Sequence, residues 1–121
     1  LVESVCFGTR AIVEAFGTAF TARRIVVAGG ATRSPFWLQV HADTLGLPLE
    51  LTEEPEAPAL GSAILAAVGA GHFPTIDAAC AAMVRIERRV YPDMDAHAAY
   101  GPIYDRYRAA YAALKPLRAP E

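Results

Sequence analysis

The sequence predicts an α/β domain, with an α-β-α-β-α core followed by two helical additions. Three observations carry that expectation. Apolar residues recur near helical spacing over residues 2–20, and Arg24-Ile25-Val26-Val27-Ala28 is a β-branched run ending on adjacent glycines. Ser34-Pro35 then opens a second helical pattern a few residues later.

In the first helix Val2, Val5, Cys6, Ile12, Val13 and Phe16 form the apolar side, with Glu3, Arg10 and Glu14 off it. The run 24–28 lacks polar alternation, as a parallel strand covered on both faces does. The Ser34 hydroxyl is placed to cap a free backbone N–H, and Pro35 at the first helical position gives up an N–H that had no partner. Trp37, Leu38, Val40, Ala42 and Leu45 supply the buried side of this helix, and Gly46 with Pro48 ends it. Residues 47–51 form a second short strand and 52–56 a polar loop. Pro58 starts a third helix whose small face of Gly61, Ser62, Ala63, Ala66, Ala67 and Gly69 predicts burial on most sides. A fourth helix is expected over 76–88, with Ala79, Met83 and Ile86 inward. A last helix carries Tyr104, Tyr107, Tyr111 and Leu114, with Pro102 in its first turn because proline breaks a helix interior. Two strands are too few for an independent sheet. Neighbours of the first strand are expected outside this chain, which opens at Leu1 in mid-pattern.

The 121 residues amount to one domain or part of one. A composition 54 % hydrophobic and 20 % charged excludes a disordered chain. The net charge of -2 provides no basic surface for nucleic acid or an anionic membrane, which favours a small-molecule ligand. Residues 57–71 make an apolar run of about 15, short of the roughly 20 that a membrane span requires. Cys6 and Cys80 stand far apart among apolar neighbours and read as buried free thiols, the pattern of a reducing, cytoplasmic setting.

The junction VAGGATRSPFW carries the chemistry. Adjacent glycines let a planar group lie against the backbone, and a helix start behind a strand offers N–H groups to a polar ligand. Ligands of α/β folds collect at such carboxyl ends of strands. The pattern is neither GxGxxG nor GxxxxGK[ST], so taken alone it is equally a tight structural turn.

The longer pattern is more specific. GGATRSPFWLQVHAD, then EAPALGSAILAAVGAG, a Tyr-Pro-Asp turn and a Tyr-rich terminal helix resemble the C-terminal domain of the FGGY family of carbohydrate kinases, from Glu3 to about Leu117. FPTIDAACAAMVRIERRVYPD looks closer to the ribulokinase-type pentulose kinases than to glycerol kinases. The resemblance implies a partial RNase H-like domain of the actin-like ATPases, residues 1–121 being the C-terminal nucleotide-binding part of a two-domain enzyme. It implies that Gly29 and Gly30 pack against adenine and ribose, that Ala31 lines the pocket, and that Ser34 hydrogen-bonds the adenine edge. ATP and Mg²⁺ are the implied cofactors, and a pentulose such as ribulose the implied substrate. Xylulose, glycerol or another polyol, or a catalytically silent actin-like module, are the alternatives. The implied partners are the sugar and the parent's N-terminal domain, with self-association left open. No catalytic or metal-binding residue is expected in this chain, because the family's catalytic Asp and phosphate loops lie upstream.

Other candidates read as structural. His41, His72 and His97 lack metal-ligand spacing, His41 being expected partly exposed, His72 in a loop and His97 in an exposed turn. Glu53, Glu54 and Glu56 read as a solvated loop, and Arg23, Arg24, Arg85, Arg88 and Arg89 as surface charges. Trp37 reads as core, and the stripe Tyr100, Tyr104, Tyr107 and Tyr111 as packing for the last helix.

Overall fold

The computed structural model describes residues 1–17 and 21–114; the expected run of the first helix to Phe20 and the resemblance past Leu114 extend outside the described residues. The elements are α1 (Val2–Ala15), β1 (Ile25–Val27), a 3-10 turn (Gly30–Arg33), α2 (Pro35–Leu45), β2 (Leu49–Thr52), α3 (Ala57–Gly69), α4 (Ile76–Met83), β3 (Ile86–Val90) and α5 (Met94–Leu114). β1 and β2 pair in parallel, with Ile25 opposite Leu49 and Val27 opposite Leu51. β3 runs antiparallel to β2 and gives the sheet order β1-β2-β3.

α2 forms as its end signals predict. The Ser34 side chain accepts from Trp37 N–H at 3.3 Å, Pro35 occupies the first turn, and Gly46 closes the helix at φ 67°. Leu38, Ala42 and Leu45 of α2 pack on Leu49 and Leu51 of β2, and Val13, Ile25, Val27, Trp37, Leu47 and Val90 surround them. Trp37 therefore belongs to the core, its ring lying 3.8 Å from that of His41.

The aromatic stripe docks α5 on α1. Phe7 contacts the rings of Tyr100, Tyr104 and Tyr107 at 5.9, 5.7 and 5.5 Å, whereas Tyr111 stays exposed. Tyr104 donates to Glu14 Oε2 at 2.7 Å, and the Arg10 guanidinium lies 4.2 Å over the Tyr104 ring. Burial and this carboxylate push the Tyr104 hydroxyl up to about 12. Asp93 caps α5, its carboxylate accepting from the N–H groups of Asp95 and Ala96, while its own N–H donates to Asp43 on α2.

Several expectations are corrected. The helix expected over 76–88 ends at Met83, and Val84 turns to extended backbone at φ -91°, ψ 117°. Residues 86–90 then form a third strand where only two were expected. Glu and Arg favour helix locally, but pairing beside β2 brings Arg89 to Glu50 at 2.8 Å, and this tertiary contact prevails. Pro102 lies inside α5 rather than in its first turn. The lost hydrogen bond is tolerated because the Asp93 cap and the tyrosine docking hold the helix on either side. His41 is 4 % exposed, not partly exposed, and His97 belongs to α5, where its Nδ1 bonds the Asp43 carbonyl. β1 is covered on one face only, Val26 being 52 % exposed. In α1 the buried side chains are Cys6 and Phe7, whereas Val5 and Ile12 face out. α3 buries Ile64 and leaves most of its small face open, since among the described residues its main packing partner is α4.

Candidate functional site

The glycine loop lies where β1 ends, beside the loop that follows its parallel neighbour β2. A parallel pair brings its two carboxyl ends to one edge, and the link is direct: Gly29 N–H donates to the Pro55 carbonyl at 3.1 Å. The loop after β2 is shaped from within, Thr52 Oγ1 donating to the Glu54 carbonyl at 2.7 Å and Glu56 N–H to Glu54 Oε1 at 2.9 Å. Glu53, Glu54 and Glu56 are exposed as expected, yet Glu54 builds the rim of the site.

The two glycines differ. Gly29 adopts φ 93°, ψ -174°, a region essentially reserved for glycine. Gly30 opens the 3-10 turn with no positive φ. At both positions a built Cβ would meet nothing within 4 Å, so their open side is free of protein. Ala31 is exposed in the same turn, and its carbonyl accepts from Ser34 N–H at 3.2 Å. Ser34 performs the cap; that bond uses an oxygen lone pair and leaves the hydroxyl proton available. All four expected residues thus occupy one continuous surface. Thr32 and Pro55 bond Gly29 as well, and neither was named in the reading of the sequence. Thr32 sits at the point where an ST-type turn closes on the preceding glycine, a signal local enough to have been found; Pro55 is joined only by tertiary structure.

Elsewhere, polar chemistry is structural. Cys6 Sγ lies 2.9 Å from His41 Nδ1, and His41 Nε2 lies 3.2 Å from Thr9 Oγ1, which donates onward to the Val5 carbonyl. Burial pushes the Cys6 thiol up to about 11, which makes it a packed, unreactive group. Cys80 is also free and half-buried. Glu50 is buried beneath Arg89 and Arg24, at 2.8 and 3.3 Å. The hydrogen bond from Arg89 holds its carboxyl below the ordinary range, against the effect of burial. Arg24 and Arg89 therefore neutralise a buried carboxylate as well as facing solvent. Among the described residues no cluster of His, Cys, Asp and Glu side chains is arranged to hold a metal, and no helix is long and apolar enough to cross a membrane.

The mixed α/β fold with its small sheet is shared with solved sugar kinases of the actin-like ATPase fold. The model of the FGGY family of carbohydrate kinases, C-terminal domain, matches residues 1–70, and the chain belongs to that family. Ribulokinase of Mycolicibacterium smegmatis is 38 % identical over 118 residues, covering 97 % of this chain and 20 % of that protein. Xylulose kinase of Staphylococcus epidermidis is 36 % identical over 95 residues, covering 78 % of this chain and 19 % of that one. Among solved structures, xylulose kinase from Rhodospirillum rubrum superposes with a TM-score of 0.75 at 32 % identity, over 97 % of this chain and 24 % of that one. The chain thus spans about a fifth of the length of the curated relatives it matches.

Proposed function

We propose that residues 1–121 are the nucleotide-binding C-terminal part of an ATP-dependent kinase that phosphorylates a hydroxyl of a pentulose such as ribulose. The observation that carries this reading is the open glycine surface at the carboxyl ends of β1 and β2, with Gly29 at φ 93° and nothing within 4 Å of a Cβ built on Gly30. On this reading Gly29 and Gly30 lie under adenine and ribose, Ala31 borders them, and the Ser34 hydroxyl donates its free proton to the base. The cap on α2 holds that hydroxyl in place.

The residues fit the nucleoside half of ATP and no more. Phosphoryl transfer needs Mg²⁺ and backbone donors on the phosphates and a base for the attacking hydroxyl; the parent's N-terminal part would supply these and the sugar contacts. Closure of the two parts would exclude water and suppress wasteful ATP hydrolysis. The ribulokinase relative aligns along nearly the whole chain, which favours ribulose. The xylulose kinase relative, at nearly the same identity over a shorter stretch, makes xylulose the second reading.

The test is a titration of the intact parent with ATP against pentuloses, hexuloses and glycerol. Saturable phosphorylation of D- or L-ribulose is the expected result. A preference for xylulose selects the second reading, and failure to phosphorylate any sugar or polyol overturns both.

A further inference from the structure

Gly29 has both of its backbone polar groups occupied within the chain. Its N–H donates to Pro55, and its carbonyl accepts twice from one residue, from Thr32 N–H at 3.1 Å and Thr32 Oγ1 at 2.7 Å. Glycine gains the most freedom of any residue when such constraints are released. Gly29 also has no side chain to anchor it, so its geometry depends on these bonds. Thr32 is half-buried, with its hydroxyl turned back into the loop.

We propose that Thr32 is a positioning residue of the nucleoside surface: its hydroxyl locks the Gly29 carbonyl into the 3-10 turn and so holds the Gly29-Gly30 backbone flat and open. This rests on the nucleotide reading above. The Gly29–Pro55 bond carries the same geometry to the loop after β2, which the Thr52 and Glu54 bonds hold rigid, so the two strand-end loops form one preorganised rim. Removing the hydroxyl leaves the Gly29 carbonyl with one bond and lets the glycine pair rotate out of register with a ligand.

The experiment uses the intact kinase carrying Thr32→Val, Thr32→Ala or Thr32→Ser, and measures the Kd for ADP, the Tm, and hydrogen exchange at the Gly29 amide without nucleotide. Val and Ala are expected to weaken ADP binding about fivefold, the worth of one ordinary hydrogen bond, with Ser restoring it to within about twofold. Gly29 exchange should quicken in Val and Ala and return toward wild type in Ser, with Tm nearly constant across the series. Unchanged ADP affinity in both Val and Ala overturns the proposal, as does a loss that Ser fails to repair. A wild-type enzyme that binds no ADP overturns the nucleotide reading and this proposal with it, a result distinct from uniform ADP binding across the series.

Discussion

At the scale of single residues, the two glycines of the loop separate backbone need from ligand space. Gly29 holds φ 93°, ψ -174°, so Gly29→Ala introduces strain of roughly 1–3 kcal/mol and lowers the Tm measurably. Gly30 carries no such constraint, and a side chain there would enter open space. Gly30→Val is therefore expected to change stability by less than about 0.5 kcal/mol. In the parent it should raise the KM for ATP while leaving sugar affinity nearly unchanged. Kinetics with both substrates check this, and equal loss of both affinities would point to misfolding instead. The pair GG was visible in the sequence, but the division of labour between its members was not, because the Thr32 and Pro55 bonds constrain Gly29 and not Gly30.

At the scale of elements, the α1–α2 packing contains a pH-sensitive group. The His41 ring is buried against Cys6 and Thr9 of α1 and Trp37 of its own helix. The Cys6 thiol stays protonated, so neither of its hydrogen-bonding neighbours on α1 is an anion that would hold an imidazolium. Burial lowers the His41 pKa below its ordinary 6.5, so as pH falls the unfolded chain takes up the proton first. The stability from keeping this ring neutral is complete well above the ordinary value of 6.5, and it declines as pH falls through that value toward the lower value of the folded state. His41→Gln should flatten that part of the Tm–pH curve, and an unchanged slope would refute the assignment. In α5, Pro102→Ala restores a missing main-chain hydrogen bond at an exposed position. Proline costs about 3 kcal/mol relative to Ala in a helix interior, so thermal melting should shift upward by several degrees. A fall in Tm would mean that the proline shapes the seam with α1. Capping signals at Ser34, Pro35 and Gly46 were legible because they act within a few residues. The ends of α4 and α5 were not, since β3 exists only through β2 and Pro102 persists only through the docking of its helix.

At the scale of the whole molecule, α1 and α3 present apolar side chains that this chain leaves open. Val5 and Ile12 of α1 and Leu65 of α3 are more than half exposed, as are Tyr111 and Leu114 of α5. A groove of about 570 Å³ runs between α1 and α5, bordered by Ile12, Tyr107 and Tyr111. Among the described residues β1 is an edge strand with its outward Val26 uncovered. Such surfaces and edges associate, so the isolated 121-residue chain should self-associate at micromolar concentration and melt broadly. Sedimentation and calorimetry check this, and a monomer with a sharp transition would contradict it. The sequence by itself determined the fold class, the first two strands, the capped α2 and the glycine loop, because periodicity, β-branching and cap chemistry act locally. Only the tertiary structure decided that residues 86–90 are a strand, that His41 and Glu50 are buried, and that Pro55 bonds the glycine loop. Each of these depends on a partner far along the chain or on the closure of a turn, and the free energy of such contacts exceeds the small local preferences that a sequence displays.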